Sequence, residues 1–110
     1  MRKHLLALAL ASAALTATAW AEEPYEIKIE FKDGKASPTE LVVPTGKKIR
    51  VVVSNTGSQA VEFESTQLRK EKVLGPGVTS SVILAPLSAG EYTWFDDFHQ
   101  TTAKGKIIAK

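Results

Sequence analysis

Tyr92-Thr-Trp-Phe-Asp-Asp-Phe-His-Gln-Thr-Thr-Ala-Lys-Gly-Lys-Ile-Ile, residues Tyr92 to Ile108, decides how this chain folds. It reads as an aromatic strand, a polar loop and an aliphatic strand. Pro86 and Gly90 bracket a turn ahead of the strand Glu91 to Phe95, and Lys106 to Ala109 closes the chain. The loop between them gathers Asp96, Asp97 and His99, so side chains able to ligate a metal stand at the end of a strand.

Working outward, the rest of the chain from Glu22 also reads as β. Tyr25, Ile27, Ile29 and Phe31 alternate with Glu26, Lys28 and Glu30, the pattern of a half-buried strand. Asp33-Gly34 marks a turn, and Leu41-Val42-Val43 is a short apolar run stopped by Pro44-Thr45-Gly46. Ile49, Val51 and Val53 share one face of the next strand, which Asn55 to Ser58 breaks. Val61 and Phe63 alternate with Glu62 and Glu64, and Gly75-Pro76-Gly77 introduces Thr79 to Leu84. About seven short strands at this spacing predict an all-β Greek-key sandwich or barrel, with Val51, Val53, Phe63, Val82, Tyr92 and Trp94 in or near its core. Gln67 to Lys72 allows one irregular helical turn.

Residues 1–21 read as a secretory signal. Arg2-Lys3 form the positive start, Leu5 to Ala19 is apolar, and Ala19-Trp20-Ala21 is a small-x-small cleavage site. Residues 22–110 then form one domain, exported to a bacterial periplasm. Of the 14 Lys and Arg residues, Arg2 and Lys3 leave with the signal, so 12 basic side chains face 12 acidic ones. A balanced charge argues against a nucleic-acid partner. With no Cys the domain must hold together by packing.

The closing stretch resembles the last strand, ligand loop and final strand of cupredoxins. In that pattern Asp96 stands at the Cys position, His99 keeps the His, and Ala103 stands at the Met position ahead of Lys104-Gly105. Pro38-x-x-Leu41-x-Val43-Pro44-x-Gly46, Val51-x-Val53-x-Asn55 and Gly75-Pro76-Gly77 resemble earlier parts of the same frame in the same order. Ala60-Val61-Glu62-Phe63-Glu64 followed by a charged stretch is similar to the periplasmic cupredoxin-like proteins of bacterial high-affinity iron uptake. In that group the upstream His position is often acidic, which the resemblance assigns to Glu62 or Glu64.

A blue-copper site needs two His, a thiolate and usually a weak axial Met. This chain has no Cys, its one Met is Met1, and its other His is His4 in the signal, so no such site is expected. What remains is oxygen-rich. Glu62 and Glu64 emerge from one face of their strand, where the bland reading is a solvated surface. Asp96-Asp97-Phe98-His99 is more pointed, although Asp in such a turn also caps backbone amides. Asp96 and Asp97 should point in opposite directions, and the Cys-equivalent position favours Asp96 as the one that shares a side with the upstream Glu. The expected metal set is therefore Glu62, Glu64, Asp96, Asp97 and His99, near one end of the sandwich. One His with carboxylates resembles sets used for Fe(II), which makes iron the expected metal and copper the second candidate.

No nucleophile–base pair and no Gly-rich phosphate loop is visible, which argues against a hydrolase. Whether the chain oxidises iron is left open. The resemblance implies a metal-binding accessory of ferrous iron uptake whose partner is a membrane permease or another periplasmic component. The alternative is a metal-free cupredoxin scaffold acting as a protein-binding module. The mixed run Leu68 to Lys72 then reads as a solvated edge or as a docking patch.

Overall fold

The computed structural model describes residues 22–110, and residues 1–21, which read as a secretory signal, lie outside them. Period-2 apolar patterning makes the strands, and Gly, Pro, Asn and Asp punctuate them. They are β1 (Tyr25–Lys32), β2 (Lys35–Ser37), β3 (Glu40–Val43), β4 (Ile49–Asn55), β5 (Val61–Ser65), β6 (Lys70–Leu74), β7 (Thr79–Leu84), β8 (Gly90–Asp96) and β9 (Lys104–Ala109). Two sheets pack face to face, one ordered β2-β1-β4-β7 and the other β3-β9-β8-β5-β6. β1 runs parallel to β4 and β3 parallel to β9, while the remaining pairs are antiparallel.

The all-β sandwich is the one expected, with nine strands among the described residues in place of about seven. β2 is three residues long and too short to leave a periodic signal. In place of the helical turn expected over Gln67 to Lys72, a turn is followed by β6. It is an edge strand along β5 with only Leu74 buried, so it carries no apolar alternation. A turn at Thr66 to Arg69 leads into it, with Arg69 at φ 57°.

Val51, Val53, Phe63 and Trp94 are almost wholly buried, Val82 is nearly so, and Tyr92 packs half-buried against them. Phe31, Phe63 and Trp94 form the centre of the core. Their ring centroids are 5.9–6.5 Å apart, and Trp94 meets Phe31 edge to face.

At one end of the sandwich, the loops after β1, β4, β6 and β8 converge. Buried Asn55 ties two of them together: its Nδ2 donates to Gln59 O at 2.8 Å and Leu74 O at 3.1 Å, and its Oδ1 accepts from Gly57 N. Asp33 holds the β1–β2 turn at φ 46°, a region Asp tolerates, and its carboxylate accepts from Ser58 N and Oγ. Those two bonds hold its pKa below the usual carboxylate range. A Cβ on Gly57 would lie 2.6 Å from Asp33 N, so the loop after β4 can lie on this turn only with glycine there.

Candidate functional site

β8 sets the site by its parity. Tyr92, Trp94 and Asp96 face the interior, whereas Thr93, Phe95 and Asp97 face outward. On β5 the inner residues are Val61, Phe63 and Ser65, and the outer ones are Glu62 and Glu64. Phe63 lies opposite Asp96, and Glu64 opposite Phe95. The five expected site residues are therefore divided between the two faces of one sheet.

On the inner side Asp96 is fully buried. Its Oδ1 accepts from Glu62 N at 2.9 Å and Phe98 N at 3.0 Å, and its Oδ2 lies 2.8 Å from His99 Nδ1. The other ring nitrogen, His99 Nε2, lies 2.9 Å from Gln59 Oε1. Gly34 backs the imidazole closely: a Cβ there would sit 3.3 Å from His99 Cδ2. Ala103, which stands at the Met position of the resembled pattern, is buried and donates its N–H to His99 O at 3.0 Å. This network joins three loops. Both oxygens of Asp96 are engaged, so a cation there would have to displace backbone amides or the imidazole.

On the outer side, one carboxylate oxygen from each of Glu62, Glu64 and Asp97 lies within 4.8 Å of the others. All three side chains are half-buried. None has an ion-pair partner among the described residues. Asp97 Oδ1 accepts from Gln100 Nε2 at 2.7 Å, and Asp97 N donates to Glu62 O at 2.8 Å, which fixes the Asp against β5. Glu71 stands directly opposite Glu64 on β6, a like-charge cross-strand pair. Partial burial, then Asp97, then Glu71 and Glu64 raise the pKa of Glu62; partial burial, then Asp97 and Glu71, raise that of Glu64. Two oxygens bound to one cation at roughly 2.0–2.2 Å are at most about 4.4 Å apart. The trio therefore needs only a small side-chain closure to share an ion.

The geometry corrects one expectation. Asp97, and not Asp96, shares a side with the upstream glutamates, because the residue two after Trp94 must point inward with it. His99 joins Asp96 on the inner side, apart from Glu62 and Glu64. Gln59 and Glu71 were not anticipated. Gln59 sits in a loop with no pattern, and the partnership of Glu71 depends on the register of β6.

The comparisons with known proteins agree with this architecture. A family model described as a cupredoxin-like domain matches residues 4–109. A protein of Rickettsia prowazekii (strain Madrid E), described as uncharacterized, is 46% identical over 83 residues, which is 76% of this chain and 66% of that relative. The match thus spans just under two thirds of the relative's length. Auracyanin A, a blue copper protein from Chloroflexus aurantiacus, superposes with a TM-score of 0.69 at 15% identity, over 80% of this chain and 100% of that one. A purple cupredoxin from Nitrosopumilus maritimus gives 0.59 at 18%, over 76% and 98%. The metal-binding domain of a Cu(I)-exporting P-type ATPase from Streptococcus pneumoniae gives 0.70 at 12%, over 83% and 91%. At such identities these structures speak for the fold alone.

Proposed function

Since this chain belongs to the cupredoxin-like domain family, we propose that it is a periplasmic metal-binding protein that holds ferrous iron on the outer carboxylates Glu62, Glu64 and Asp97 and assists iron uptake by delivery to a membrane permease. The observation that carries this reading is the uncompensated trio, three acidic oxygens within 4.8 Å with no basic partner among the described residues. Carboxylates suit hard and borderline cations, and a cation would offset the partial burial and the repulsion from Asp97 and Glu71 that raise the two glutamates. A half-buried surface site leaves open positions on the metal. That suits a cargo which must be picked up and handed on.

Electron transfer through blue copper is excluded by the sequence, which has no Cys. Copper is the weaker candidate on the outer face, because only oxygen ligands are offered there. On the inner side both ring nitrogens of His99 are already met, Nδ1 by Asp96 and Nε2 by Gln59. Oxidation of iron would need an electron acceptor, and delivery needs none.

Anaerobic calorimetric titration of the protein with Fe(II), Mn(II), Cu(II) and Zn(II) tests the reading, with Glu62→Gln, Glu64→Gln and Asp97→Asn alongside. Fe(II) should bind at one site, and each substitution should weaken it about tenfold or more, since loss of a direct ligand exceeds the 10–100-fold typical of its supporting partners. No binding, or affinity untouched in all three variants, would replace this reading with the metal-free scaffold that binds a protein partner. Cells lacking the protein should take up ferrous iron more slowly at limiting supply, and normal uptake would remove the transport role.

A further inference from the structure

Four strands form the sides of the two sheets: β2 and β7 in one, β3 and β6 in the other. A free edge invites another strand, and proteins blunt it with brevity, proline or inward-turned charge. Three of these four edges are blunted. β2 has three residues, and β3 has four and lies between Pro38 and Pro44. β6 turns Lys70 and Lys72 to the inner side, since they stand opposite Ser65 and Phe63. β7 is different. Thr79-Ser-Ser-Val-Ile-Leu is six residues long and holds neither charge nor proline.

The ladder shows which backbone groups β7 leaves over. Asn55 N donates to Val78 O at 2.9 Å, so the register makes Val53–Ser80, Val51–Val82 and Ile49–Leu84 the hydrogen-bonded pairs. Ser80, Val82 and Leu84 therefore direct their N–H and C=O groups at β4. Ser81 and Ile83 direct theirs away from the sheet, and neither has a backbone partner there among the described residues. Both residues are exposed.

On the inner side, β7 runs beside β6 across the open side of the sandwich. Lys70 and Lys72 line that seam, and neither has a carboxylate within ion-pairing distance among the described residues. Toward the end of β7 the seam widens into a groove of about 320 Å³, where Lys70 meets Leu68, Leu84, Pro86 and Leu87.

We propose that the free edge of β7 captures an extended segment of a partner protein as an added antiparallel strand, one in which an apolar residue is followed two positions later by an acidic one. Ser81 and Ile83 each exchange N–H and C=O with the incoming backbone, which supplies affinity. Alternate side chains of the segment turn to the seam and supply specificity. The one opposite Leu84 enters the apolar groove, and the one opposite Val82 meets the unpaired lysines. A second copy of β7 is a poorer occupant. It brings no carboxylate, and it sets Lys70 and Lys72 of both copies against one another. The edge is separate from the outer carboxylate trio and does not depend on the metal reading.

The test titrates the full chain with an N-acetylated, C-amidated peptide, Thr-Leu-Thr-Asp-Thr, and follows backbone amides by nitrogen-edited NMR. The Ser81 and Ile83 resonances should move with saturation, and their hydrogen exchange should slow. Lys in place of the peptide's Asp should weaken binding about tenfold, the scale of turning one surface attraction into repulsion. N-methylation of its central Thr, which removes the donor to Ile83 O, should weaken it about fivefold. Lys70→Glu combined with Lys72→Glu should invert the preference, so that the Lys peptide binds better. Neither lysine is buried, so the fold survives the change. Ser81 and Ile83 amides that the peptide does not move overturn the proposal. So does equal affinity for the Asp and Lys peptides, an N-methylated peptide that binds as well as the parent, or a preference that the charge-swapped protein keeps. Protection of the same amides that grows with protein concentration alone would assign the edge to a second copy and overturn it as well.

Discussion

The two faces of the sheet at β5 and β8 carry acidic groups of the same chemistry in opposite circumstances. Inside, Asp96 is fully buried, and every oxygen has a partner: two backbone amides and an imidazole. Outside, Glu62, Glu64 and Asp97 crowd together with no basic partner among the described residues, and Glu71 adds a fourth negative charge beside them. A satisfied buried carboxylate stabilises the fold and has nothing left to offer a cation. An unsatisfied surface cluster strains the fold slightly and has everything to offer. Identity of residue type therefore says little about function; partners decide it.

Removing the inner carboxylate should produce the largest effect. Asp96→Ala leaves two part-buried amides and the Nδ1 of His99 without their acceptor, and should cost about 3–5 kcal/mol of stability by denaturant unfolding. Asp96→Asn, which keeps an acceptor for the amides, should cost visibly less. Fe(II) affinity of whatever remains folded should be unchanged. Unaltered stability with lost metal binding would invert the comparison and return Asp96 to the ligand set.

His99→Ala should follow, at about 1–3 kcal/mol, because it removes the imidazole from Asp96 Oδ2 and Gln59 but leaves the backbone amides in place. Its metal affinity is the sharper readout. Unchanged Fe(II) binding supports the division between faces, and a tenfold loss would show that the loop rearranges to bring His99 to the outer site.

Acid separates the regions with the smallest effect. Glu62 and Glu64 have folded-state pKa values above the ordinary 4.5, so the folded chain binds protons there before the unfolded one does. As pH falls through that window, metal-free protein should become slightly more stable while Fe(II) affinity declines, since protons and metal compete for the same oxygens. Asp33 behaves in the opposite sense. Its folded value lies below the ordinary 3.8, so its contribution is present above that value and is lost as pH falls through the depressed one. A thermal-melting series across pH 2–6 should rise first and fall later, and Asp33→Asn should blunt the fall. A curve that only falls would mean that partial burial and the neighbouring carboxylates do not raise the two glutamates in the folded chain.

Much of this was legible in the sequence, and the reason is the two-residue period of a strand. Ile27, Ile29 and Phe31, or Val51 and Val53, declare an inner face without any partner being known, and turn residues mark where each strand ends. The same parity carries Asp96 inward from Trp94. An acidic residue in a core is acceptable only with donors supplied from elsewhere, and the backbone amides of Glu62 and Phe98 become visible only when β5 lies beside β8. The outer trio has the same origin. Glu62 and Glu64 share a side by sequence, but Asp97 and Glu71 reach them through the register of separate strands. Which side chains face which way along each strand follows from local backbone geometry, and so residue order alone carries it. Which of them meet depends on ladder register and loop convergence, properties of the assembled fold that join residues such as Gln59 and His99, forty positions apart.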